Sequence, residues 1–184
     1  GSTKYTPVST HLSSADPDAI KDIVKALIKS KNPVINAGQG ILYAEATKEL
    51  IEFSELTNIP VMTTLAGKSA FPENHPLSLG TAARTGTKMC DYFLKNTDFI
   101  LGIGTSFTQS NFQAPMPTNV PIAQSTNCTD DINKDYRIDL GAIGDSKLVI
   151  QQMIEEVKLQ LGSGGRKDNN QVIDKIKNLK DEFI

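Results

Sequence analysis

The chain has 184 residues, long enough for one domain with a proper hydrophobic core, and its 39% apolar and 22% charged content is that of an ordinary globular protein. Its 19 basic and 21 acidic residues leave a formal charge of −2, which gives no electrostatic reason to expect nucleic acid or an anionic membrane as a partner. No apolar run approaches the ~20 residues of a membrane span, and no leader pattern opens the chain. Cys90 and Cys128 stand in no CxxC pair and away from His11 and His75, so they read as reduced thiols rather than metal ligands. The cytoplasm is the expected compartment.

Residues 1–15 are polar, rich in Ser and Thr and aperiodic, an extended lead-in whose Gly1-Ser2 reads as a cloning remnant. Asp16-Pro17 opens a helix, with Asp16 as N-cap and Pro17 at the first helical position. Ile20, Ile23, Val24, Leu27 and Ile28 then fall on one apolar face, with Lys21, Asp22, Lys25 and Lys29 opposite. Val34–Ala37 is a short apolar run of the kind that forms buried parallel strands. Gly38-Gln39-Gly40 turns sharply out of it, and a helix is expected over Ala44–Thr57. Asn58-Ile59-Pro60 ends that helix and launches a second strand, Val61-Met62. A long loop follows, through Thr63–Gly67 and the Pro-punctuated Phe71-Pro72 and His75-Pro76. Loops of that length are uncommon without a function, and the carboxyl end of a strand is where open α/β sheets place ligands.

Thr87 caps a helix containing Met89, Tyr92, Phe93 and Leu94. Asp98–Gly102 is the third strand and runs into Ile103-Gly104-Thr105-Ser106-Phe107. The chain is irregular from Gln109 to Asn119, Val120–Gln124 is a fourth strand, Asn127–Asp135 has room for one helical turn, and Ile138–Ile143 is a fifth strand. Asp145 caps a helix whose Val149, Ile150, Met153, Ile154, Val157 and Leu161 share a face. Gly162–Gly165 reads as a flexible linker. The last segment, Asn170–Ile184, has helical period, but its narrow stripe of Val172, Ile173, Ile176, Leu179 and Phe183 has no obvious partner within the domain. Strand and helix alternate from Val34 to Leu161, which predicts a three-layer α/β fold: a parallel sheet with helices on both faces. The expected division is a lead-in (1–15), a globular unit (16–161), and a linker with a terminal helix (162–184).

The strand ends carry small or polar residues: Gly38-Gln39-Gly40, Thr63 to Gly67, Gly102 to Ser106, and Ser125-Thr126-Asn127. Glycines there allow backbone amides to approach a phosphate, or simply make tight βα turns. Arg84, in the glycine-flanked loop Gly80–Gly86, could meet a phosphate or bridge to a nearby carboxylate. Gly67-Lys68-Ser69 has the ending of a P-loop, but Met62 stands where that motif needs its first glycine. His75 reads as fixing its loop, and no Ser-His-Asp grouping is supported by spacing.

A run of motifs in fixed order carries a resemblance. These are Asp16-Pro17, Asn32-Pro33-Val34-Ile35 with Ala37–Gly40, Thr63 through Pro72, Asn74-His75-Pro76 with Leu79-Gly80, Gly104 to Thr108, Asp131 to Tyr136, and Gly144-Asp145. Over Asp16–Leu161 the chain resembles the middle domain of thiamine-diphosphate-dependent enzymes, the family of acetohydroxyacid synthases, oxalyl-CoA decarboxylases and benzoylformate decarboxylases. The resemblance implies a six-stranded Rossmann-like sheet, one strand more than the residue pattern locates. It implies a central domain packed between pyrimidine-binding and diphosphate-binding domains, in a parent that is a homodimer or homotetramer. Those flanking domains hold thiamine diphosphate and magnesium, so this segment has no catalytic residue or metal ligand of its own and is expected to be inactive alone. In the family the middle domain binds FAD, ADP or nothing. The positions carried over for a nucleotide are Gly38, Gln39, Gly40, Thr64, Leu65, Gly80, Arg84, Gly104, Thr105, Ser106, Thr126 and Asn127. Two departures argue against FAD. Thr108-Gln109-Ser110 stands where FAD-binding relatives have an acidic-acidic-Arg run, and Thr126-Asn127-Cys128 where they have Asp-x-Asp. A smaller adenine nucleotide or an empty site then gains weight. The alternative reading is a stand-alone NAD- or FAD-binding Rossmann-like module.

Overall fold

The computed structural model describes residues 12–82, 87–107 and 115–182, so the expectations for Arg84, for residues 108–110, for Phe183 and for most of the lead-in lie outside the described residues. α1 (Pro17–Lys29) starts where its signals place it. The Asp16 carboxylate accepts the Asp18 N–H at 2.8 Å, and Ile20, Ile23, Val24 and Leu27 are buried. β1 (Pro33–Ala37) is buried at every position. The helix expected over Ala44–Thr57 is two elements, a single turn α2 (Gly40–Tyr43) and α3 (Thr47–Thr57). Glu45 between them is left-handed, with φ 52°, and this interrupts the helical run. α2 therefore begins directly at the glycine turn.

β2 (Val61–Thr63) is followed by β3 (Ser78–Thr81), which the residue pattern does not locate. Ser-Leu-Gly-Thr is short, contains glycine and is only half buried, as an edge strand can be, so it lacks the apolar run of the central strands. α4 (Lys88–Asn96) and β4 (Phe99–Ile103) come next. The Thr87 hydroxyl caps α4 by accepting the Cys90 N–H at 3.1 Å. β5 (Ile122–Thr126) begins two residues later than the pattern suggests. Pro121 has no N–H for a ladder, and only its carbonyl joins in, accepting the Ile100 N–H at 3.1 Å. After a 3-10 turn at Thr129–Asp131 comes β6 (Leu140–Ile143), which excludes Ile138 because that N–H goes to Asn133 Oδ1 at 2.8 Å. α5 (Ser146–Leu161) is capped by Asp145, which accepts the Leu148 N–H at 3.1 Å, and α6 (Gln171–Asp181) ends the described chain.

The six strands form one parallel sheet in the order β3-β2-β1-β4-β5-β6. Alternation sends Ile35, Leu101 and Ala123 into a core with α1, α3 and α5, while Val34, Ile100 and Ile122 join α4 and α6 on the other face. This is the three-layer arrangement expected from the sequence. β1 has β2 on one side and β4 on the other, so successive connections leave it in opposite directions. Such a reversal opens a crevice outside the carboxyl ends of the two strands.

The C-terminal segment corrects two expectations. The glycine run is not a free linker: Gly165, with φ +67°, lies so close to the end of α3 that a Cβ would stand 2.1 Å from the Leu56 carbonyl oxygen. Arg166 then donates its N–H to that same oxygen at 3.0 Å, and its guanidinium to Thr57 O at 3.0 Å and Lys31 O at 3.1 Å. Asn58 Nδ2 closes the clasp on Arg166 O at 2.8 Å. The α6 stripe also has a partner within the domain. Ile176 and Leu179 are buried in the same core as Cys90, Phe93 and Leu94 of α4, and Lys175 Nζ sits 4.4 Å from the Tyr92 ring centroid. Among the described residues no helix is long and apolar enough to cross a membrane.

Candidate functional site

The crevice at the switch point is made by backbone approaching backbone. Gly38 N–H donates to Ile103 O at 2.9 Å, and Gly40 N–H to Gly104 O at 3.0 Å. A Cβ on Gly38 would fall 2.3 Å from Gly104 O, one on Gly40 would fall 2.7 Å from Gly104 Cα, and one on Gly67 would fall 2.7 Å from the Gly38 carbonyl carbon. Real side chains do not tolerate such distances. Gly104 itself has φ +66°, a second reason for glycine there. Thr64 ties the β2 turn into the same floor: its N–H donates to Ala37 O at 3.0 Å, and its hydroxyl accepts the Gly67 N–H at 3.0 Å.

Above this floor lies a cleft of about 680 Å³, a size typical of small-molecule and cofactor sites. It collects Gly38, Gln39, Gly40, Thr64, Gly104, Thr105, Ser106, Thr126 and Asn127, nine of the twelve positions expected from the sequence. Leu65 and Gly80 do not line it. Leu65 projects into solvent, and Gly80 sits on the edge strand with φ +80°, where a Cβ would meet Thr87 Cγ2 at 3.0 Å. Arg84 lies outside the described residues.

The wall after β5 carries the cleft's charged network. Thr126 Oγ1 donates to Asp131 Oδ2 at 2.8 Å, and Lys134 Nζ lies 3.0 Å from Asp131 Oδ1. The Thr126 hydrogen bond, assisted by Lys134, holds the Asp131 carboxyl below the usual carboxylate range, and Asp131 in turn raises Lys134. Gln124 Nε2 donates to Thr105 O at 2.8 Å and Asp131 O at 3.1 Å, which ties this wall to the turn after β4. Asp145 and Ser146, at the start of α5, and Tyr43 and Leu12 also line the cleft. The sequence reading assigns no site role to Asp131, Lys134 or Tyr43. For the first two the signal was a polar turn directly after a strand end. For Tyr43 there was none, because α2 was not anticipated.

Among the described residues, no three of His, Cys, Asp and Glu come together as a metal site would require. Of the two carboxylates lining the cleft, Asp131 is engaged by Thr126 and Lys134, and Asp145 by the α5 cap. Both cysteines are free, and burial pushes the Cys90 thiol above its ordinary range.

Residues 20–153 match the family described as thiamine pyrophosphate enzyme, central domain. The chain is 33% identical over 175 residues to a probable acetolactate synthase large subunit from Methanococcus aeolicus, covering 91% of this chain and 29% of that protein. It is 36% identical over 141 residues to a probable acetolactate synthase large subunit from Methanocaldococcus jannaschii, covering 75% and 24% respectively. Among solved structures, benzoylformate decarboxylase from Polynucleobacter necessarius has the same fold, with a TM-score of 0.72 at 24% identity over 92% of this chain and 31% of that one. The chain thus spans less than a third of the length of these relatives. The family match over residues 20–153, well over half of the chain and all six strands, leads to one conclusion: this chain belongs to the thiamine pyrophosphate enzyme central-domain family.

Proposed function

We propose that the chain is the central domain of a larger thiamine-diphosphate-dependent enzyme of the acetolactate synthase type, and that its cleft binds the diphosphate of an adenine nucleotide. The observation that carries the nucleotide reading is the glycine floor. At Gly38, Gly40 and Gly104 the space a side chain would occupy is filled by backbone, which brings two strand-end turns together at the one point of the sheet where a crevice must open. Thr105 and Ser106 add hydroxyl groups around it, and Lys134 adds a cation.

The cleft's donor set does not fit thiamine diphosphate with magnesium. A diphosphate-bound magnesium ion takes octahedral oxygen ligands including one or two free carboxylates, and the cleft's two carboxylates are already committed. In this reading the thiazolium chemistry and its metal belong to the flanking pyrimidine-binding and diphosphate-binding domains of a homo-oligomeric parent. This domain spaces those two and carries the nucleotide as a structural ligand. No catalytic step is assigned to its residues.

A thermal-denaturation series with ADP, FAD, NAD and thiamine diphosphate plus magnesium tests the proposal. A ligand at a hundred times its dissociation constant adds about 2.7 kcal/mol, which for a domain of this size raises the melting temperature by roughly 5–11 °C. Stabilisation by ADP alone or by ADP and FAD is the expected result. Stabilisation by thiamine diphosphate plus magnesium would overturn the assignment.

A further inference from the structure

The cleft lining has two unlike kinds of residue. Thr126, Asp131 and Lys134 form the hydrogen-bonded polar wall. Elsewhere in its lining, Tyr43 and Leu12 stand 80% and 72% exposed, two of the most exposed large hydrophobic residues described. Tyr92 and Tyr136 both have occupations. Tyr92 lies beneath Lys175 and edge-on to Phe93, while the buried Tyr136 accepts the Met116 N–H at 3.0 Å and meets the Phe107 ring edge-on. The Tyr43 side chain has no hydrogen bond, ion pair or ring contact among the described residues. Its backbone, however, is firmly set. Tyr43 N–H donates to Gln39 O at 3.1 Å, and α2 is anchored at its start by Gly40 N–H on Gly104 O. Gly40 and Tyr43 are three residues apart on one helical turn, so the ring rises from the same face as the glycine, one turn further along.

We infer that Tyr43 is the platform on which the planar base of a nucleotide stacks when its diphosphate lies over Gly38, Gly40 and Gly104, with Leu12 as the second apolar contact. The inference rests on the nucleotide reading of the cleft and adds what that reading lacks, the group that recognises the base. An exposed aromatic face offers dispersion and quadrupole contacts to any base and needs no partner for its hydroxyl, which points recognition toward the ring's shape rather than its edge. The polar wall of Thr126, Asp131 and Lys134 is then left for the sugar. Recognition by stacking makes the site selective for nucleotides over inorganic diphosphate.

The test is calorimetric titration of the whole chain and of its Tyr43→Ala and Tyr43→Phe variants with ADP, and with pyrophosphate as the ligand that lacks a base. Loss of one base–aromatic stack corresponds to about 5- to 150-fold in affinity. Tyr43→Ala should therefore weaken ADP at least about fivefold while leaving pyrophosphate unchanged, and Tyr43→Phe should keep wild-type affinity for both. Tyr43 is mostly in solvent, so both variants should melt with the wild type. The inference is overturned if Tyr43→Ala binds ADP as wild type does, or loses ADP and pyrophosphate equally, the sign of a disturbed turn. It is also overturned if the wild type binds pyrophosphate no more weakly than ADP. Binding of neither ligand by the wild type would instead sink the nucleotide reading itself, and the inference with it.

Discussion

Replacing Gly38 by Ala tests directly whether the crevice depends on backbone contact. The added methyl would meet Gly104 O at 2.3 Å and both Cα and Cβ of Thr105 at 2.8 Å, all parts of the chain that cannot swing aside. Either the β1 and β4 turns separate, losing the Gly38 N–H bond to Ile103 O, or the strands shift. Forcing one extra methyl into tight packing costs about 1–3 kcal/mol, which in a domain of this size lowers the melting temperature by roughly 2–12 °C. Gly162→Ala is the matched control. Gly162 ends α5 with φ +86° and nothing within 4 Å of its missing Cβ, so alanine there meets backbone strain and no steric clash. Both variants should melt lower in a calorimetric scan. Only Gly38→Ala should also lose affinity for ADP, by at least about tenfold, since about 1.4 kcal/mol of lost contact already has that effect. A Gly38→Ala protein that melts and binds like wild type would refute the claim that close backbone approach is what this glycine supplies.

Arg166→Lys should destabilise the fold by about 2–3 kcal/mol in urea denaturation, because one ammonium cannot replace a guanidinium that bridges Thr57 O and Lys31 O; equal stability would show the clasp to be idle. Thr126→Val removes the first cause of the depressed Asp131 pKa, so carboxyl titration by NMR should show Asp131 moving up toward the ordinary value. The sign for stability follows: the wild-type contribution is present above the unfolded carboxyl pKa of about 3.9 and is lost as pH falls through the lower folded value, and Thr126→Val should weaken that dependence. His75 Nδ1 accepts the Leu77 N–H at 3.1 Å while Nε2 lies 2.9 Å from Glu55 Oε1, so His75→Ala leaves a buried strand entry without its acceptor and should cost about 1–3 kcal/mol. His75→Asn, whose amide oxygen can reach the same N–H, should recover part of it; no recovery would mean that ring packing against Phe71, at 4.8 Å between centroids, carries the effect instead.

Where structure follows from local chemistry, it could be read from the residues. The Asp16, Thr87 and Asp145 caps each form the expected bond to a backbone N–H in the first turn. The central strands are apolar runs because both faces of a parallel sheet are covered. What escaped depended on partners distant in sequence. β3 exists because Val61–Thr63 offers it an edge, so its own composition need not favour a strand. The break at Glu45 separates two stretches that share helical period, and periodicity carries no mark of a single left-handed residue. The α6 stripe looked unpartnered because α4, which covers it, lies some eighty residues earlier in the sequence. The cleft was legible for the same reason as the caps. Glycine at the end of a strand is a local sign, and nine of the twelve marked positions meet at one crevice. Asp131 and Lys134 carried only the weaker sign of a polar turn after a strand end, because their place in the wall comes from the bond to Thr126 and from Gln124 reaching across to the 3-10 turn.

The two ends of the sheet are built on opposite principles, and that difference bears on what the domain can do within a longer chain. At the carboxyl end, glycines bring turns together and leave a concave surface lined by polar groups. At the amino end, Arg166 and Asn58 close the gap between the ends of α1 and α3 with side chains, satisfying carbonyls that would otherwise face solvent. Burial lowers the Arg166 pKa, yet its guanidinium stays charged throughout the accessible pH range, so the clasp has no pH at which it opens. Beyond it, the chain crosses to the other face, where Val172 touches both cores and α6 packs on α4. α6 is therefore held by the same body that forms the cleft, with no hinge at the glycine run. A ligand in the cleft can stiffen the domain, but it has no loose joint there through which to move a neighbour. Under the nucleotide reading proposed above, such a ligand would act on the stability of this domain.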